Sequence, residues 1–223
     1  MTSSPPALGD ALTDAFFSAC HLALEVVGSD AVAEGWASES ALEGFSVGGL
    51  AAHLYSAIRL FESALEKPEA TYPRVENLTS FYGLNRVANR AQLQDEFNQT
   101  IRTHAAHLAE QGSAVLADKF EALVTRLGPA LAGLPMTRLV PVWRIEGAAT
   151  HLSDYLRTRV VELAVHADDL AISVDTDIAM PEIVASVTFA VFLDLARARS
   201  GDVAVMRTFA RRERGDPEVL RVF

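Results

Sequence analysis

Apolar residues recur every three or four positions over most of this chain. Leu8, Leu12, Ala15, Phe16, Ala19, Leu22, Ala23 and Val26 form one such run. They predict a helix from about Leu8 to Val27, ended by Gly28. Val47, Leu50, Leu54, Ile58, Phe61 and Leu65 predict a second helix over Val47–Leu65, with Ser46 as its N-cap. Pro68 and Pro73 then mark a long connection. Leu93, Phe97, Ile101, Ala105 and Leu108 predict a third helical region over about Arg90–Leu127, with Gly112 placed to break it. "LGPALAGLP" reads as a breaker-rich segment.

The second half continues the pattern. "LVPVWRI", Leu139 to Ile145, is extended in character, and Pro141 confines any strand there to a sheet edge. A fourth long helix is predicted over about Thr150–Ser173. "SVDTDIAMP" follows as a linker, Pro181 starts a helix to about Ala198, and Gly201-Asp202 separates it from a short helix over about Val203–Arg212. "VLRVF" reads as a short closing strand. The prediction is an all-α protein, with a four-helix bundle over residues 1–175 and a short helical extension over 176–223. Bundles of this kind build metal and cofactor sites from side chains on facing helices.

One stretch of the fourth helix breaks the apolar background. In "RVVELAVHADDLA", Glu162 and His166 sit one turn apart and Asp169 lies one turn further on. At about 100° per residue, Tyr155, Arg159, Glu162, His166 and Asp169 form one narrow stripe. The opposite side carries Val160, Ala164, Ala167 and Ala171, and is apolar too. If that side packs inward, the stripe is a solvent face. If the stripe points into the bundle, a carboxylate and an imidazole are buried together and need partners. Residues four apart on a helix can reach one atom, and both groups are ligands for zinc and similar ions. His53 on the second helix offers a third ligand, with Gly49, Ala57 and Ala64 leaving room beside it. Alone it would read as a structural histidine.

Charge and composition narrow the field. The chain has 223 residues and a net charge of −10, which opposes binding to nucleic-acid phosphates. An arginine cluster, Arg197, Arg199, Arg207, Arg211, Arg212, Arg214 and Arg221, is either a solvated face or a patch for a small anion or a partner. The single cysteine, Cys20, lies in an apolar run and reads as core. Neither a secretion signal nor a membrane span is evident, so the expected location is the cytoplasm. His104 and His107 have helical spacing but straddle a packing stripe. His151 reads as a cap or second-site residue, and Trp36 and Trp143 read as core. No phosphate loop, nucleophile elbow or cysteine pair is present.

"GFSVGGLAAHLYSAI" and "YLRTRVVELAVHADDLA" resemble the two signature segments of the DinB-like superfamily, and most closely its mycothiol-dependent maleylpyruvate isomerase branch. In that branch a Trp-containing loop precedes a helix of the form G-W-S-V-x-D-L-x-x-H-L, and R-x-x-E-x-x-x-H-x-x-D follows much later. The resemblance spans roughly Leu12 to Ser173. It implies a four-helix bundle holding a divalent metal through His53, Glu162 and His166. Zinc suits that donor set best, with nickel, iron or manganese as alternatives. It also implies a mycothiol-like thiol as cofactor, with Asp169 orienting His166 and Arg159 facing Glu162 or a substrate carboxylate. The expected partners are the thiol and a small electrophile, in a monomer or a homodimer. The expected activity is thiol-dependent transfer or isomerisation; the alternative is a non-catalytic metal- or ligand-binding bundle. Two departures stand out: Gly49 replaces a frequent acidic residue, and the isomerase proper carries a larger α/β domain after the bundle.

Overall fold

The computed structural model of the chain describes residues 8–71, 74–89, 96–142 and 147–222. Helix α1 (Leu8–Val27) leads through a one-turn helix, α2 (Asp30–Glu34), to α3 (Val47–Leu65). Both long helices have the predicted bounds. Gly28 ends α1, and the Ser46 hydroxyl caps α3 by accepting from Gly49 N at 3.0 Å. Every residue of the predicted α3 stripe is buried.

A short strand, β1 (Arg74–Glu76), and a helix, α4 (Leu78–Asn89), occupy what the sequence reads as connection. The start of α4 is fixed by Asn77 and Ser80, which bond reciprocally: Ser80 N donates to Asn77 Oδ1 and Asn77 N to Ser80 Oγ. Leu78, Phe81 and Tyr82 bury its inner side. The predicted third helical region is two helices, α5 (Glu96–Ala109) and α6 (Ser113–Leu131), split at Gly112, whose φ is 85°. Helix α6 runs through Gly128 and Pro129, against the breaker reading. Pro129 gives up the bond its N–H would make to Thr125 O, and buried Leu127 and Leu131 hold the last turn on the core.

Strands β2 (Leu139–Pro141) and β3 (Ala148–His151) follow. The sheet order is β1-β3-β2, parallel then antiparallel, so Pro141 lies on an edge strand as expected. Thr150 belongs to β3 rather than to the next helix, because its hydroxyl donates to Glu76 O at 2.7 Å inside the sheet. Helix α7 (Leu152–Ile172) is therefore shorter at its start than predicted. Helices α8 (Glu182–Ser200) and α9 (Asp202–Ala210) follow. Residues 219–222 form no strand and follow a 3-10 turn, Pro217–Val219, begun by the Asp216 carboxylate accepting from Glu218 N; Phe223 lies outside the described residues. Leu93 and Trp143, read above as helix stripe and core, lie outside the described residues, as do the side chains of Leu8 and Phe97.

The long helices α1, α3, α6 and α7 make the all-α bundle. Helix α7 packs on both α1 and α3, while α5 lies against α3. One core joins them around Phe16, Phe61, Phe120, Leu127, Tyr155 and Leu156. Phe61 centres it, edge-on to Phe16 and to Tyr155 with ring centroids 5.3 Å away in each case. A second cluster joins Phe81, Tyr82, Val161, Val191, Leu195 and Val205, and seats α4, α8 and α9 on the other flank of α7. Among the described residues no helix is long and apolar enough to cross a membrane. Because Phe61 is fully buried, Phe61→Ala is expected to lower unfolding free energy by about 3–5 kcal/mol in denaturant melts. A loss below about 1 kcal/mol would mean that these ring contacts do not hold the bundle together.

Candidate metal centre

Helix α7 is buried on its Ala-rich face, while its polar stripe is buried at Tyr155 and Arg159 and partly open at Glu162, His166 and Asp169. Val160, Ala164, Ala167 and Ala171 are at most 1% exposed, and on the polar stripe Tyr155 is 2% and Arg159 8% exposed. The Ala-rich face meets the bundle, and so do Tyr155 and Arg159. This is possible because small residues on one side let α1 approach closely while α3 covers the other.

Helix α3 brings His53 to that stripe. Its start is pinned by the Ser46 cap and by the loop before it. Trp36 lies against Gly48, where a Cβ would come within 2.5 Å of the indole, and its Nε1 donates to Ala109 O at 3.0 Å. The same loop is tied to the end of α7, where Ala41 N donates to Ser173 Oγ at 2.8 Å. Trp36 is thus partly buried and structural, as expected. From this loop Phe45 sets its ring 5.5 Å from the His53 ring.

The rings of His53 and His166 lie 5.1 Å apart and nearly perpendicular. One donor atom each from His53, Glu162 and His166 falls within 4.8 Å of the others, the one such group of His, Cys, Asp or Glu found among the described residues. Within it, His166 Nε2 is 3.7 Å from Glu162 Oε2. On its other side His166 Nδ1 donates to Asp169 Oδ2 at 2.9 Å. A carboxylate only accepts, so Nδ1 carries a proton and Nε2 is the nitrogen that faces Glu162. The donor set suits a divalent cation of the zinc type.

Arg159 closes the base of the site. Its guanidinium lies 3.9 Å from Glu162 Oε1 and 5.3 Å above the Tyr155 ring. It also donates to Ala57 O at 3.5 Å and to Thr158 Oγ1 at 3.2 Å. Asp169 and Arg159 are therefore engaged with His166 and Glu162 respectively. The sequence reading missed Tyr82, which reaches the same region from α4. Burial pushes its phenol pKa up, the nearby Glu162 carboxylate adds to this, and Arg159 partly offsets it. The signal was present in the Leu78/Phe81/Tyr82 spacing and the Asn77/Ser80 pair, but the stretch is too short to stand out.

The other candidates fall away from the site. His104 and His107 are exposed on α5, and His107 pairs with Glu110 at 3.2 Å. His151 Nδ1 donates to Thr137 O at 2.9 Å without capping α7. Cys20 is buried, and burial pushes its thiol pKa well above the ordinary value. Much of the arginine cluster is used internally. Arg197 pairs with Asp194 and Asp202, and Arg199 donates to Glu218 O, Val219 O and Arg221 O at the C-terminal turn.

In a comparison with known families, residues 17–171 match the mycothiol maleylpyruvate isomerase N-terminal domain. No curated protein and no solved structure matches the chain.

Burial alone would lower the pKa of His166. The Asp169 hydrogen bond and the Glu162 carboxylate outweigh it, with Arg159 opposing, and the net shift is upward. A raised pKa in the folded state stabilises the metal-free chain fully below the ordinary histidine value of about 6.5. That contribution is lost as pH rises through the raised value. In chelator, the melting temperature is expected to fall as pH rises above about 6.5, and Asp169→Asn is expected to flatten this dependence. Equal slopes in the two proteins would remove the Asp169–His166 bond from the account.

Proposed function

The chain belongs to the mycothiol maleylpyruvate isomerase N-terminal domain family, and on that premise we propose a divalent-metal-dependent enzyme that uses a mycothiol-like thiol. Its reaction is S-transfer to a small electrophile, or its isomerisation by thiol addition and elimination. The observation that carries this reading is the convergence of His53, Glu162 and His166 from two helices. We assign these three as the metal ligands and zinc as the metal. Nickel, iron and manganese accept the same donors.

A divalent cation bound there would act as a Lewis acid and lower the pKa of a thiol at the site. The chain's own residues have separate tasks. Asp169 holds the proton of His166 on Nδ1, so that Nε2 is presented as a lone pair. Arg159 offsets the Glu162 charge and keeps its carboxylate turned to the site; it is also the group we assign to a substrate carboxylate. Phe45 covers one side of His53 and limits the water reaching it. A cation held by His53, Glu162 and His166 would keep coordination open beyond the protein, as in catalytic rather than structural metal sites.

The test is metal content and turnover together. Purified wild-type chain is expected to carry metal by elemental analysis, and His53→Ala and Glu162→Gln to carry little. Asp169→Asn is expected to weaken metal affinity about 10- to 100-fold. Wild type should consume a generic electrophile only when a low-molecular-weight thiol is supplied. Negligible metal in wild type and variants alike would overturn the site. Bound metal with no turnover across a panel of thiols would favour the non-catalytic bundle.

A further inference from the structure

Tyr82 stands beside the metal centre on a helix that supplies none of its three ligands. The residue is buried, and so is its hydroxyl oxygen. Helix α4 packs on α7 at the Tyr155 end of the polar stripe. There the Phe81 ring lies 6.4 Å from the Tyr155 ring, and the Tyr82 ring lies 5.6 Å from Phe81 and nearly perpendicular to it. The Arg159 guanidinium sits over the same Tyr155 ring. Tyr82 therefore enters where Arg159 and Glu162 face each other, and the charges of both act on its phenol.

The two oxygens of Glu162 are not equivalent. Oε2 faces the Nε2 atom of His166 at 3.7 Å, and Oε1 faces Arg159 at 3.9 Å. Oε1 is thus the outer oxygen when Oε2 goes to a cation shared with His166. An outer oxygen keeps its capacity to accept, and carboxylates that ligate metals are themselves hydrogen-bonded. At 3.9 Å Arg159 lends Oε1 its charge without a hydrogen bond, and its other nitrogens donate to Ala57 O and Thr158 Oγ1. A phenol suits the remaining task. It offers one donor and keeps its proton at neutral pH. Being uncharged, it does not repel the cation as a second guanidinium would.

We propose that Tyr82 is a positioning residue of the metal centre, its hydroxyl donating to Glu162 Oε1 so that Oε2 alone is given to the cation. The inference rests on His53, Glu162 and His166 being the ligands, and it adds a contribution from a third helix, α4. The reciprocal Asn77 and Ser80 bonds fix where α4 begins, and so where its second turn presents Tyr82. Without the hydroxyl the carboxylate is able to turn both oxygens to the cation. A position that a catalytic site keeps open for reactants is then filled by the protein.

Cobalt(II) titration of the full chain, in competition with a chelator, tests it. Tyr82→Phe removes one oxygen and little packing, and should leave helical circular dichroism unchanged. It is expected to raise the cobalt dissociation constant at least about tenfold and to change the visible absorption of the bound cobalt. Tyr82→Met gives the same comparison should the Phe variant not fold. In a Glu162→Ala background Tyr82→Phe should change the constant less than about twofold, because the hydroxyl acts through that carboxylate. Unchanged affinity and spectrum in Tyr82→Phe would overturn the role of Tyr82 and leave the metal centre standing. An effect of the same size without Glu162 would mean that Tyr82 acts by packing alone, and would overturn it too. A wild-type chain that takes up no cobalt would overturn the metal centre, and this inference with it.

Discussion

A polar stripe on an otherwise apolar helix, buried at Tyr155 and Arg159 and partly open at Glu162, His166 and Asp169, is the constraint on which this structure turns. Helix α7 buries Tyr155 and Arg159 against a core of mainly Leu, Val, Ala and Phe, and sets Glu162 and His166, partly exposed, just beyond them. Buried charge is costly unless it is paired. Here the pairing runs as a chain: Arg159 faces Glu162, Glu162 faces His166, and His166 donates to Asp169. Each charged group has its neighbour on the same helix one turn away, so folding α7 assembles most of the network. His53 is the member that must come from elsewhere, and α3, its cap and the Trp36 loop exist in a geometry that brings it there.

The same arrangement links stability to function. The Ala-rich side of α7 allows α1 to pack closely, which leaves the opposite side free to carry polar groups facing α3. A bundle with large side chains on both faces of α7 would fill the space in which three ligand atoms approach one another. Phe61 and Tyr155, at the base of the site, join the apolar core directly to the stripe.

Much of this was legible in the sequence, for physical reasons. Helices α1 and α3 carry long, strict three-four repeats with a clear cap or a terminating glycine, and their bounds follow. His53, Glu162 and His166 were readable as a set from helical spacing and from resemblance, although spacing alone left the stripe's direction open. That choice was not decidable because the Ala-rich face is buried and the stripe is buried at one end and partly open at the other, and a two-state reading of inside or outside has no place for such a helix. Short elements were missed. Strands β1 and β3 hold three and four residues, and α4 is defined by tertiary burial more than by its own pattern. Tyr82 was lost with α4. Pro129 misled because the burial of Leu127 and Leu131 holds the last turn of α6 on the core despite the lost N–H bond. The closing "VLRVF" is apolar and β-prone, yet the Arg199 bonds to Glu218 O and Val219 O hold its start in a turn.

The central claim is that two imidazoles and one carboxylate from α3 and α7 hold a single divalent cation. X-ray absorption at the edge of the metal carried by the purified chain tests it most directly. The account predicts a first shell of nitrogen and oxygen at about 2.0–2.2 Å, with scattering from two imidazoles in wild type and one in His53→Ala. A sulfur shell from Cys20, or an imidazole count unchanged by His53→Ala, would contradict it.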